Sequence, residues 1–177
     1  MREPPPFYVL GYSEAAMLLR GRDAPDIAAA LCIHGQRDPV LELSCPLRVD
    51  LTFDDCPMVG DDPVSQYAER LRRRKAAEIG LKLRPPNEDH VHAILEFAER
   101  AQNSDRTVLF QCHAGISRSA AAALIALAIW LGPGMERQAV QTLREVRPAA
   151  APPLDLIACA DRMLGRAGLL TESLAIQ

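Results

Sequence analysis

Apolar and polar positions in this chain follow two periods, and the changes between them mark out the elements. Leu47, Arg48, Val49, Asp50, Leu51, Thr52 and Phe53 alternate strictly, which predicts a strand with one buried face. Phe7-Tyr8-Val9-Leu10 reads as a short first strand, and residues 27–33 as a buried strand ending at His34-Gly35. Thr107-Val108-Leu109-Phe110 follows the turn residues Asn103-Ser104-Asp105 and reads as a central strand leading into Gln111-Cys112. Between these runs the period becomes helical. Ser13 stands where an N-cap would, opening a short helix that ends near Gly21. Val91, Ile94, Leu95 and Ala98 recur at helical spacing within 88–102. Residues 117–131 form a long apolar helix closed by Gly132-Pro133-Gly134, and 136–147 and 154–164 give two more. Residues 58–87 differ: they hold Asp61-Asp62-Pro63, the basic run Arg70-Leu71-Arg72-Arg73-Arg74-Lys75, and Pro85-Pro86, as a helix within an exposed excursion would. Strands alternating with helices predict an α/β fold: a single domain over 1–177, with a central, mainly parallel sheet flanked by helices.

Composition narrows the setting. At 177 residues with 49% hydrophobic positions, the chain can bury a substantial core, and its net charge of -3 gives no reason to expect nucleic acid as a partner. The five cysteines are odd in number and form no CxxC pair, and the opening residues lack an apolar leader. Free thiols in a reducing, cytoplasmic compartment are expected, and the Ala, Arg and Pro bias suggests a bacterium. The longest apolar run, 120–131, is too short to span a membrane.

The candidate chemistry lies in Cys112-His113-Ala114-Gly115-Ile116-Ser117-Arg118-Ser119, between a predicted buried strand and a predicted buried helix. Phosphate-ester cleavage needs a nucleophile, anion donors and a proton for the leaving oxygen. Cys112 can be the nucleophile as a thiolate, which a helix N-terminus and nearby cations favour. A short loop containing Gly115 can turn its amides inward as an anion cradle, formed by residues His113, Ala114, Gly115, Ile116, Ser117 and Arg118. Arg118 offers a planar fork of donors matched to two phosphoryl oxygens. No acidic residue interrupts the loop, and the Ser119 hydroxyl can donate to the sulfur. The acid is expected on a loop after a strand, where Asp54 and Asp55 both stand. A Cys and an Arg six apart carry little weight by themselves; the glycine, the flanking serines and the strand-loop-helix setting give the segment its meaning.

Cys112 to Ser119 resembles the CxxGxSRS phosphate loop of the cysteine-dependent protein tyrosine phosphatase superfamily, in particular its compact dual-specificity-like bacterial type. The resemblance is tight over 88–165, where Arg147-Pro148 and Pro152-Pro153-Leu154 also match. It implies a phosphocysteine intermediate, no cofactor and no metal. It assigns the acid to Asp55, with Asp54 in reserve, and an assisting role to Ser119. The implied partner is a phosphorylated protein or another phosphomonoester. Two features depart from the pattern. Gln111 stands where the family usually has a histidine, and the 58–87 excursion lengthens the stretch between the Asp loop and the cysteine. Alternatives on the same scaffold are a phosphoinositide or RNA 5′-phosphate phosphatase, and a phospho-binding pseudophosphatase. A rhodanese-type sulfurtransferase would need neither Ser119 nor an Asp acid. His90 and His92 lie two apart and do not share a helix face, so they suggest no metal site.

Overall fold

The structure, a computed structural model, describes residues 3–176. Among these residues four parallel strands form one sheet: β1 (Phe7–Gly11), β2 (Ile27–His34), β3 (Leu47–Thr52) and β4 (Thr107–Cys112), in the order β1-β4-β2-β3. The expected parallel α/β architecture is therefore the observed one. Among the described residues seven helices accompany the strands: α1 (Tyr12–Arg20), α2 (Pro63–Glu78), α3 (Glu88–Ala101), α4 (Arg118–Leu131), α5 (Glu136–Val146), α6 (Leu154–Met163) and α7 (Leu169–Ala175).

The two central strands are buried on both faces, which explains why 27–33 and 107–110 read as unbroken apolar runs. Their side chains alternate between two cores. Leu31, Ile33, Val108 and Phe110 face a large core completed by α3, α4, α5 and α6. Ala30, Cys32 and Leu109 face a smaller one closed by Ala15 of α1 and by Leu41. In the larger core Phe110 packs edge-on against Phe7 and Phe97, and the Trp130 indole N–H is satisfied by the Ala98 carbonyl at 2.9 Å. The strict alternation of 47–53 belongs to the sheet's edge strand. There only Leu51 and the following Phe53 are buried, because β3 has a neighbour on one side only.

One local expectation needs correction, and two further features were not foreseen. Helix α1 begins at Tyr12, not after Ser13; its N-cap is Gly11, whose N–H donates to the Glu14 carboxylate at 2.7 Å. The strand runs straight into the helix, so a side chain one turn inside does the capping. Helix α7 went unforeseen: it is one short amphipathic turn pair after Gly168, anchored by Asp161, which accepts from the Thr171 N–H and hydroxyl. The basic run on α2 largely pairs within its own helix. Arg72 and Arg73 hold the buried Glu69 at 3.3 and 2.8 Å, and Arg74 lies 3.8 Å from Glu78.

Parallel strands all end on the same side. His34, Phe53 and Cys112 therefore deliver three loops to one edge of the sheet, the position where open α/β sheets place their ligands.

Candidate active site

Cys112 is the last residue of β4, and Arg118 is the first of α4. The loop between them is shaped by what its carbonyls bind. The Cys112 carbonyl accepts from Gln111 Nε2 at 2.7 Å. The His113 carbonyl accepts from the Tyr12 N–H at 3.0 Å, and the Ile116 carbonyl from the Ala151 N–H at 2.9 Å. Arg147 supplies the two between: its Nη2 donates to the Ala114 carbonyl at 3.2 Å and its Nε to the Gly115 carbonyl at 3.0 Å. A trans peptide sets each carbonyl opposite the next residue's N–H. With the carbonyls of 113–116 tied outward, the amides of 114–117 point the other way. The Gly115 N–H shows the result directly, lying 3.3 Å from Cys112 Sγ.

Gly115 makes this curl possible. Its φ is +70°, and a Cβ there would sit 2.3 Å from Gly11 N and 2.4 Å from Leu10 C. The loop thus lies directly on the β1–α1 junction. Glu14 braces the arrangement from behind, bonding Gly11 N–H with one oxygen and Arg147 Nη1 with the other at 2.8 Å. The hydrogen bond from Arg147, then that from Gly11, holds the Glu14 carboxyl below its ordinary value.

Cys112 is 2% exposed, and its sulfur lies 3.1 Å from Ser119 Oγ. α4 points its N-terminus at this spot, adding a favourable field for an anion. The other thiols are differently placed. Cys32 faces the opposite core, where burial pushes it up to about 12, and burial pushes Cys56 up to about 11. All five cysteines are free.

Arg118 is 6% exposed and held at its far edge. Nη1 donates to the Phe53 carbonyl at 3.1 Å, and Nη2 lies 2.9 Å from Asp38 Oδ2. Its Nε–H is buried and has no partner among the described residues.

The two candidate acids are adjacent in sequence and separate in role. Asp54 is a knot: its carboxylate accepts from the Gln36 and Arg84 N–H groups at 3.0 and 2.8 Å, while its own N–H donates to the Arg84 carbonyl. It ties the loops after β2 and α2 together. Asp55 faces the cysteine loop, its Oδ1 accepting from Ser117 Oγ at 2.6 Å. Gln111 cannot carry the charge of a histidine, but it does hold the Cys112 carbonyl; its Oε1 is buried without a partner among the described residues.

Sequence reasoning brought Cys112 to Ser119 and Asp55 into one site, and the structure has them together. It missed Asp38, Glu14 and the part played by Arg147. His90 and His92 diverge: His90 packs on Phe53 with ring centroids 4.9 Å apart, and His92 pairs with Glu96. Among the described residues no group of three or more His, Cys, Asp and Glu is arranged to hold a metal ion. No described helix is long and apolar enough to cross a membrane.

The fold, with its strand-loop-helix cysteine site, is similar to that of solved dual-specificity phosphatases. Among solved structures the chain is similar to DUSP15, with TM-score 0.57 and 19% identity over 98% of this chain and 92% of that one. Human DUSP28 gives TM-score 0.57 and 15% identity, covering 92% and 94% of the two chains. The active form of Tk-PTP gives 0.56 and 15%, with 93% of each chain covered. Neither a family model nor a curated protein sequence matches the chain.

Proposed function

We propose that the protein is a cysteine-dependent phosphatase acting on phosphoprotein, phosphotyrosyl or dual-specificity, through a phosphocysteine intermediate. The observation that carries this reading is the outward tethering of consecutive loop carbonyls at 112–116, which turns the loop amides inward and sets the Gly115 N–H 3.3 Å from the Cys112 sulfur. Such an arrangement suits a phosphoryl dianion and would serve a purely structural cysteine no purpose. The likeness of the fold to dual-specificity phosphatases supports the same conclusion.

In this mechanism the Cys112 thiolate attacks phosphorus. As the S–P bond forms, the bond from phosphorus to the ester oxygen breaks, and Asp55 gives its proton to that oxygen. Arg118 and the amides of 113–118 hold the three equatorial oxygens. Water then attacks the phosphocysteine, Asp55 takes a proton from it, and the S–P bond breaks. Ser119 donates to the sulfur as it leaves with its negative charge. Asp55 lies against the loop through Ser117, whereas both oxygens of Asp54 are engaged by backbone N–H groups, which favours Asp55 as the acid.

Phosphate release from a small aryl phosphate tests the reading. Wild type turns over without added metal and in the presence of chelator, and Cys112→Ser does not. Full activity in Cys112→Ser refutes the mechanism. Binding of vanadate without turnover by wild type would favour a phospho-binding module instead. A panel of phosphotyrosyl and phosphoseryl peptides, with a phosphoinositide beside them, assigns the substrate class.

A further inference from the structure

We propose that Asp38 is a positioning residue that presents the reactive edge of Arg118 to the phosphoryl group; this rests on the phosphatase reading above. A guanidinium has two forks of parallel N–H donors. One is formed by the two Nη atoms at the tip, and the other by Nε with the near hydrogen of Nη2. Here the tip is fully engaged: Nη1 donates to the Phe53 carbonyl and Nη2 to Asp38. The side fork remains. Its Nε–H is buried without a partner among the described residues, and Nη2 carries a second hydrogen beside the one that a single bond to Asp38 uses. A buried donor without a partner is costly, so a phosphoryl oxygen that supplies the partner gains correspondingly. The occupied tip fixes the plane of the guanidinium and leaves the side fork free to meet two phosphoryl oxygens.

Asp38 is built for this task. Its Oδ2 also accepts the Gly35 N–H at 2.6 Å, so the carboxylate is anchored to the end of β2 before it reaches the arginine. Gly35 makes room for the convergence. A Cβ there would lie 2.9 Å from Asp38 Oδ2, 3.0 Å from Asp54 Oδ1 and 3.3 Å from Arg118 Nη1. Burial pushes the Asp38 carboxyl up, but the Gly35 bond and the Arg118 bond and charge, with His113, outweigh it and hold it below its usual range. His113 Nδ1 lies 3.4 Å from the other oxygen, so Asp38 also spans to the outer side of the loop.

The test is a double-mutant cycle between Asp38→Ala and Arg118→Ala, read both as kcat/KM on an aryl phosphate and as vanadate affinity. Asp38→Ala is expected to lower kcat/KM and weaken vanadate by about 10- to 100-fold, the scale of one charge-assisted bond. Asp38→Asn, which keeps an acceptor oxygen, is expected to recover part of the loss and to melt like wild type. On Arg118→Ala the Asp38 change is expected to have no further effect. An equal loss in both backgrounds, or wild-type vanadate affinity in Asp38→Asn and Asp38→Ala, overturns the proposal. If the wild-type protein binds vanadate but turns nothing over, the phosphatase reading fails while the vanadate cycle still judges Asp38.

Discussion

Replacing Gly115 with alanine should separate backbone conformation from space, because the protein carries its own control. Gly115 and Gly134 both have positive φ, +70° and +85°. A Cβ on Gly134 meets nothing within 4 Å, whereas on Gly115 it meets the backbone of Leu10 and Gly11 at 2.3–2.4 Å. Gly134→Ala therefore carries only the conformational cost of a left-handed alanine, about 1 kcal/mol. Gly115→Ala carries that and a clash between main-chain segments, which cannot swing aside as a side chain can. The upper range for overpacking, about 3 kcal/mol, applies, giving about 4 kcal/mol in all. In a protein of this size each kcal/mol moves Tm by about 2–4 °C, so the melts should fall by about 2–4 °C and about 8–16 °C. Activity should divide more sharply still. A loop displaced by about an ångström costs on the order of 100-fold in kcat/KM, whereas Gly134→Ala should match wild type. Thermal melts followed by aryl phosphate kinetics decide the matter. Should Gly115→Ala melt within a few degrees of Gly134→Ala and keep its activity, the loop does not rest on the β1–α1 junction as described.

Other consequences follow from the same contacts. Arg147→Met removes the donors to the Ala114 and Gly115 carbonyls, and should lower kcat/KM by about 10-fold or more, with weaker vanadate binding; unchanged vanadate affinity would refute the outward-tether account. Asp55→Asn should slow turnover by about 100-fold or more on poor leaving groups and far less on good ones, as loss of a general acid does; an equal effect on both would place the acid elsewhere. Thiol labelling at neutral pH, read by mass spectrometry, should find Cys112 and leave Cys32 and Cys56 unmodified, since burial pushes those two up to about 12 and about 11; early labelling of Cys32 would contradict its place in the core. Acid should weaken the fold through Glu14, Asp38 and Asp50. Asp50 is held down by its bond from Arg48, with burial opposing and His34 assisting. A depressed folded value means the stabilisation is complete above the unfolded value of about 4 and is lost as pH falls through the folded one. The urea midpoint should drop below about pH 4, and Asp50→Asn should flatten that limb; an unaltered limb in the variant would refute the assignment.

Much of this was legible in the sequence because it is local. Period-two and period-3.6 patterns report which face of an element is buried, and β4 followed by α4 is both apolar and long enough to be unmistakable. The cysteine loop was legible because its chemistry is compressed into eight successive residues. What remained hidden is held by contacts far apart in the chain. Arg147 and Glu14 are 133 positions apart, and neither lies in a pattern that points to the other. Asp38 sits in an irregular stretch after Gly35, where an Arg-Asp-Pro sequence looks like any turn. Its meaning appears only when β2 and β4 pair and set the end of one strand beside the loop of the other. Ser13 misled because a serine before an apolar helical run is usually a cap, and here Glu14 took that role.

The neighbouring carboxylates show how one strand end can serve structure and chemistry together. Asp54 and Asp55, just past the end of β3, turn to different partners. Asp54 turns to the backbone N–H groups of Gln36 and Arg84 and fixes the rim formed by two loops. That rim in turn carries Asp38, through Gly35, to the tip of Arg118. Asp55 turns to Ser117 at the mouth of the cysteine loop. Phe53, just before the pair, buries its ring in the core and offers its carbonyl to Arg118. Three successive residues thus anchor the arginine, close the rim and, in the proposed mechanism, present a proton donor. A substitution at Asp54 should therefore resemble a loss of architecture, with a lower melting temperature and a weakened grip on vanadate. One at Asp55 should leave both intact and slow only the chemistry.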